Sequence, residues 1–220
     1  GYQGYYHLKI ALAKEVINPD NSYPDNTDFT DITSLATFLL KKQAEDLIQS
    51  TQFFNAEVLE SILKLLANCD TIFFFAAGNS NPLAVYGAYK FSQLGLKTVV
   101  HVSPEMQINA AYSMGKRDLA IGISNSGSTN LMVDIFKVVK ERGAKSVCIT
   151  NYIKSPLSKL STHQLNTAVS DKIFFEAFDS TRVPAMGVID MLVLLFMYKN
   201  KAHYEKYRTR EEFLGSRFKG

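Results

Sequence analysis

Six consecutive residues, Ser124-Asn125-Ser126-Gly127-Ser128-Thr129, set four hydroxyl side chains around one glycine. They follow the apolar run 119–123 and precede an amphipathic stretch that opens at Asn130. Between a buried strand and a helix, such a run can wrap a phosphate. Its hydroxyls donate to the phosphate oxygens, and the first N–H groups of the helix carry a partial positive charge that favours an anion. No lysine is required. The same residues also suit a plain turn and N-cap, where Ser and Thr are preferred in any case, so spacing alone leaves both readings open. A second turn, Ala77-Gly78-Asn79-Ser80-Asn81-Pro82, follows the apolar run 71–76 in the same way.

Other phosphate chemistry fits less well. The first turn lacks the G-x-G-x-x-G of dinucleotide binding, and no G-x-x-x-x-G-K-[ST] occurs in the chain. Gly122-Ile123-Ser124-Asn125-Ser126 ends in serine where a nucleophile elbow needs glycine, which disfavours a serine hydrolase.

Proton transfer between the first two carbons of a sugar requires a carboxylate or imidazole beside them. The candidates are His101, Glu105, His163 and Glu176. His101 reads equally as a strand-end residue, and Glu105 as a helix N-terminal acid favoured by the dipole. Glu176 lies in Phe174-Phe175-Glu176-Ala177-Phe178, where a buried charge would need a partner. Gln107 is a weaker candidate for a sugar hydroxyl contact. Arg182, after Thr181, serves either ligand closure or the anchoring of the last apolar helix. The four histidines show no metal-binding spacing, and Cys69 and Cys148 stand apart in apolar surroundings, so neither a metal nor a disulfide framework is expected. No cofactor is called for.

The elements that position these residues follow from periodicity. Apolar residues at helical spacing run through 2–16, 32–50 and 55–68, and residues 18–31 are dense in Asn, Asp, Pro, Ser and Thr, as a linker is. From Asp70 onward the texture alternates. Strands are expected at 71–76, 98–102, 119–123, 146–150 and 165–169, and helices at 82–94, 105–114, 130–142 and 156–161. Gly95 and Gly143 fall just past two of these helices, as C-terminal caps do. Five strands with intervening helices give an α/β fold, a three-layer α/β/α sandwich on a parallel sheet preceded by N-terminal helices. In such a sheet ligands bind beyond the carboxyl ends of the strands, where both turns fall.

The run Ile123-Ser124-Asn125-Ser126-Gly127-Ser128-Thr129 resembles the I-S-x-S-G-x-T pattern of SIS (sugar isomerase) domains, with Gly78-Asn79-Ser80 upstream and Cys148-Ile149-Thr150-Asn151 downstream. The resemblance covers about residues 71–198. It implies the same sandwich fold and a phosphorylated sugar as ligand. Ser80, Ser124, Ser126 and Thr129 would hold the phosphate, with help from Asn125, Gly127 and Ser128 and from neighbouring Gly78 and Asn79. Glu176 would reach a sugar hydroxyl. Gly1-Tyr2-Gln3-Gly4-Tyr5, with Leu8-Lys9 and Leu12-Ala13, is similar to the end of the DNA-binding domain of RpiR-type transcription regulators. That implies an effector sensor that is not an enzyme, with a phosphosugar isomerase as the alternative. Residues 1–17 would be the last helix of a helix-turn-helix domain, 18–31 a linker, 32–200 the sensor and 201–220 a basic tail. The recognition helix would lie before Gly1, so operator DNA would be met only through that missing part.

With 46% hydrophobic and 20% charged residues, the chain can build an ordinary core. Its formal charge of +3 is mild, and no stripe suited to tracking nucleic-acid phosphates is present. Lys9 and Lys14 interrupt any secretory apolar region, and the apolar run 183–198 is too short for a bilayer of roughly 30 Å. A cytoplasmic protein without a membrane partner is expected. Surplus apolar surface on the helices, like the family resemblance, points to a homodimer or homotetramer.

Overall fold

The computed structural model describes residues 31–168 and 182–218. The expected helix at 2–16, most of the linker, Val169, Glu176 and Thr181 lie outside them. The order is α1 (Ile32–Ser50), α2 (Ala56–Asn68), β1 (Ile72–Ala76), α3 (Asn81–Gln93), β2 (Thr98–Val100), α4 (Pro104–Ser113), β3 (Leu119–Ile123), α5 (Asn130–Glu141), β4 (Lys145–Thr150), α6 (Pro156–Leu160), β5 (His163–Asn166), α7 (Arg182–Lys199) and α8 (Lys201–Phe218).

All neighbouring strands pair in parallel, in the order β2-β1-β3-β4-β5. The sheet is covered on both faces, which is why β1 and β3 are apolar throughout and buried at every position. Along β1 the side chains alternate. Ile72, Phe74 and Ala76 pack with Ile62, Leu66, Phe91, Leu192 and Phe196 from α2, α3 and α7. Phe73 and Phe75 pack with Ala111, Met132, Phe136 and Leu157 from α4, α5 and α6. This is the three-layer α/β/α sandwich expected from the alternation of apolar runs.

The helix ends also match their sequence signals. Leu96 N bonds Phe91 O and Gly95 N bonds Ser92 O, and the same pair of bonds closes α5 at Gly143 and Ala144, with both glycines in the left-handed region. β5 begins two residues earlier than the apolar run suggested, because His163 and Gln164 pair with Val147 and Cys148 despite their polarity.

One end of the chain's helical layer departs from expectation. Residues 201–220, read as a charged tail, include the 18-residue helix α8. His203 Nδ1 lies 2.7 Å from Leu94 O and Tyr207 packs on the core, while Arg208 pairs with Glu205 and Glu212 along the helix. α7 is strongly apolar yet not fully covered: Met186, Leu194 and Tyr198 are exposed, as are Val85 and Tyr89 of α3, the helix that packs against it. Tyr86 Oη donates to Asp190 Oδ1 at 2.6 Å and ties these two helices; that bond, with burial, pushes the tyrosine pKa up to about 12. No single helix among the described residues is long and apolar enough to cross a membrane; α7 and α8 pass on length and composition only together, bent by 109°.

Candidate functional site: two turns at the strand-order reversal

In the order 2-1-3-4-5 the chain leaves β1 toward one edge of the sheet and returns through β3 toward the other. The crevice between the carboxyl ends of β1 and β3 is therefore the topological switch point, where open α/β sheets bind ligands. Ala76 is in register with Ile123, so the turns that follow these two residues lie side by side. They are the two turns singled out in the sequence.

The turn after β3 is held from several directions. Ser124 N donates to Ile149 O and Asn151 N to Asn125 O, both at 3.0 Å, which carries the β3–β4 ladder past the end of β3. Thr150 Oγ1 adds a second bond to Asn125 O at 3.0 Å, and Leu157 N in α6 donates to Gly127 O at 2.9 Å. Gly127 N turns inward to Ser124 O and Oγ, each at 3.2 Å, and Ser126 Oγ accepts from Ser128 N and Oγ at 3.3 and 3.1 Å. Gly127 has φ +58°, and a Cβ there would stand 2.3 Å from Ser155 Oγ, so only glycine fits.

Thr129 then acts as N-cap of α5 by backbone alone. Its side chain makes no capping bond, and the first intrahelical bond runs from Val133 N to Thr129 O at 3.0 Å. The N–H groups of Asn130, Leu131 and Met132 are thus the unpaired donors found at any helix start. The turn after β1 repeats the arrangement: Gly78 has φ +56°, Ser80 caps α3 without a side-chain bond, and Pro82 occupies the first turn. Neither turn contains a cationic residue. An anion at this crevice would meet two helix N-termini, free hydroxyls and main-chain amides.

The structure brings Gly78, Asn79, Ser80, Ser124, Asn125, Ser126, Gly127, Ser128 and Thr129 to this one edge. Asn81 was not anticipated here, and Asn125 was expected through its main chain alone. The Oδ1 atoms of Asn81 and Asn125 are buried and have no hydrogen-bond partner among the described residues. Thr150 was also missed as the organiser of the turn; its place in Cys148-Ile149-Thr150-Asn151 was the only sequence signal.

Several other candidates are placed elsewhere. Gln107 is not a sugar contact. Its amide donates to Ala76 O at 2.9 Å and accepts from Ala76 N at 3.2 Å, so its 1% exposed side chain is spent on closing the end of β1. His163 opens β5 at the amino half of the sheet, with Nε2 2.8 Å from Ser61 Oγ, too far along the strand to meet a ligand beyond the carboxyl ends. Burial, with Lys145 nearby, holds its pKa below the usual value. Glu105 sits in the first turn of α4 and accepts from Ser103 Oγ at 2.6 Å, a bond that lowers its pKa. His101 lines a separate cavity of about 340 Å³ with Phe73, Val99, Met106, Asn109, Ala110 and Ser113, none from either turn. Arg182 is the exposed first residue of α7. Burial pushes the thiols of Cys69 and Cys148 up to about 11, away from nucleophilic use. Among the described residues no group of three His, Cys, Asp or Glu side chains is placed to hold a metal ion.

Comparison with known proteins agrees with this fold. The SIS domain model matches residues 65–195. The uncharacterized HTH-type transcriptional regulator TTE0211 of Caldanaerobacter subterraneus subsp. tengcongensis is 30% identical over 212 residues, 94% of this chain and 74% of that regulator. Among solved structures, Vibrio vulnificus NanR complexed with ManNAc-6P superposes with a TM-score of 0.80 at 22% identity, covering 97% of this chain and 76% of that one. The sugar isomerase domain of an RpiR transcription factor from Sphaerobacter thermophilus gives 0.73 at 19% identity, covering 81% and 98%. With its sheet, its two turns and this match in hand, the chain belongs to the SIS domain family, alongside HTH-type transcriptional regulators that share it nearly end to end.

Proposed function

We propose that the chain is the effector-sensing part of a cytoplasmic transcription regulator, which binds a phosphorylated sugar and thereby controls genes of carbohydrate metabolism. One observation carries this reading: two helix N-termini with unengaged cap hydroxyls, Ser80 and Thr129, stand side by side at the switch point. A dianion is the ligand that such an arrangement stabilises best. Ser80, Ser124, Ser126 and Thr129 hold the phosphate, with the main chain of Gly78, Asn79, Asn125, Gly127 and Ser128. Glu176 accepts from a sugar hydroxyl. The NanR complex with ManNAc-6P supports a phosphosugar as the ligand class.

In the same reading residues 1–17 close a helix-turn-helix domain through which operator DNA is met, 18–31 link it to the sensor, and 32–200 sense. The exposed Met186, Leu194 and Tyr198 of α7, with Val85 and Tyr89 of α3, supply the contact of a homodimer. In this reading the sensor performs no turnover: among the described residues His101, His163 and Glu105 are engaged or stand away from the two turns, and Glu176, outside them, serves a sugar hydroxyl.

The test is thermal denaturation of the purified chain against a panel of hexose and amino-sugar phosphates. A ligand that binds only the native state raises the midpoint, by about 2.7 kcal/mol of apparent stability at a hundredfold excess over Kd. Thr129→Ala and Ser126→Ala remove that rise while shifting unliganded stability little, by about 0.5 kcal/mol for Thr129, whose hydroxyl makes no capping bond, and by about 1 kcal/mol for Ser126, whose hydroxyl accepts from Ser128. An undiminished rise in both variants moves the ligand elsewhere, and conversion of any panel member to its isomer replaces the sensor by an enzyme.

A further inference from the structure

The phosphate turn is connected to α1 by a run of buried and half-buried hydrogen bonds, joined through one peptide unit between Thr167 and Ala168. From Asn125 O the first bond reaches Thr150 Oγ1 at 3.0 Å. Thr150 O, at the end of β4, accepts from Thr167 N at 3.1 Å and from Asn166 Nδ2 at 3.2 Å, just past β5. The next amide along the chain, Ala168 N, points the other way and donates to Ser50 Oγ at 2.9 Å. Ser50 Oγ in turn donates to Asp46 O at 2.8 Å, inside the last turn of α1. Thr150, Asn166, Thr167 and Ser50 are all buried.

The way α1 is attached gives this run its meaning. A surface helix ordinarily docks through an apolar stripe. In α1 the only buried residues are polar, Asp46 and Ser50, while Ile32, Leu40 and Ile48 stay largely exposed. Beyond Ser50 the helix touches the body where Leu47 lies over Gly187 of α7, whose absent side chain leaves room for it. Leu35, Phe38 and Leu39 on the same face are half-buried, and full burial with a fixed polar contact comes at the C-terminal turn, which pins that end of the helix. A hydrogen bond suits that role, because its geometry is directional and its loss leaves the half-buried Ala168 N–H unpaired.

We propose that this Asn125–Thr150–Thr167–Ala168–Ser50 run transmits occupancy of the phosphate turn to α1, the element through which the sensor meets everything N-terminal to it. The proposal rests on the sensor reading above. A phosphate seated on the turn loads Asn125, and Thr150 is bonded to that residue on one side and on the other to Thr167, whose neighbour Ala168 holds Ser50. Ligand then favours one of two states of the α1 terminal turn, docked or released, by the difference in its affinity for them.

Hydrogen exchange of the full chain, with and without N-acetylmannosamine 6-phosphate or glucose 6-phosphate, tests this. In the wild type, ligand slows exchange in residues 124–129 and alters that of residues 32–50 by about fivefold or more. In Ser50→Ala the response at 124–129 persists and the response in α1 is lost; Ser50→Thr, which keeps the hydroxyl, restores it. A circular-dichroism melt certifies that each variant is folded, and Ser50→Cys, close in size but a weaker hydrogen-bonding group, decides the matter should Ser50→Ala not fold. Protection at 124–129 with α1 unaltered in the wild type, or α1 responding equally in folded Ser50→Ala or Ser50→Cys, overturns the relay alone. No protection at 124–129 with either probe overturns the sensor reading, and the relay falls with it.

Discussion

The two glycines at the switch point share a backbone conformation and differ in everything around it. Gly78 and Gly127 have φ +56° and +58°. A Cβ on Gly78 would meet no atom within 4 Å, whereas on Gly127 it would meet Ser155 Oγ, Ser155 Cβ and Thr150 Oγ1 at 2.3, 2.5 and 2.9 Å. One turn is open to solvent and held by its own short helix; the other is clamped by β4 and α6. A phosphate site needs donors whose positions are fixed before the ligand arrives, since ordering them on binding would consume affinity. The clamped turn supplies that fixity, and the open one can adapt to what is attached to the phosphate.

The largest expected effect separates the two. Gly127→Ala must adopt a left-handed backbone, at about 1–2 kcal/mol, and must displace Ser155, at about 1–3 kcal/mol more. Urea denaturation should therefore show a loss of about 2–5 kcal/mol, and the remaining folded protein should give no phosphosugar response. A ligand rise of normal size in Gly127→Ala would show that the clamped turn is not the anchor. Next comes Gln107→Leu, which conserves volume but leaves Ala76 N and O unpaired in a buried place. The expected cost is about 2–4 kcal/mol for the two groups, with ligand affinity retained. The opposite result, full stability with weakened binding, would return Gln107 to the sugar.

Much of this contrast could be read from residue types, and some could not. The alternating apolar runs placed β1 and β3 because both strands are buried on both faces, and that leaves a continuous hydrophobic signature. The resemblance singled out the hydroxyl run because its chemistry is local. β5 was displaced in the reading because an edge strand with one paired side tolerates His163 and Gln164, so the apolar signal started late. Gln107 was misread since a buried glutamine looks like a site residue until its partner, 31 positions earlier, is known. α8 was read as a tail because its charges pair with one another and none of its described residues is fully buried, while His203 and Tyr207 dock it among strongly polar neighbours. In each miss the deciding contact lay far away in sequence.

Smaller effects sharpen the comparison further. Gly78→Ala has only the backbone cost, about 1–2 kcal/mol, and should leave the phosphosugar response within about twofold; a loss equal to that of Gly127→Ala would mean that both turns are clamped in solution. The smallest effect belongs to the far end of the sheet. His163 is half-buried, and burial together with Lys145 keeps its folded pKa below the ordinary 6.5, so the folded state favours the neutral ring bonded to Ser61. Its contribution to stability is thus fully present above about pH 6.5 and is lost as the pH falls through the lowered folded value, because the unfolded chain takes up the proton first. His163→Gln should flatten the fall in stability below pH 6.5 and leave the phosphosugar response at pH 7.5 unchanged. Equal acid slopes in the two proteins would place the titrating group elsewhere, and a changed ligand response would tie the amino end of the sheet to the turns at its other end.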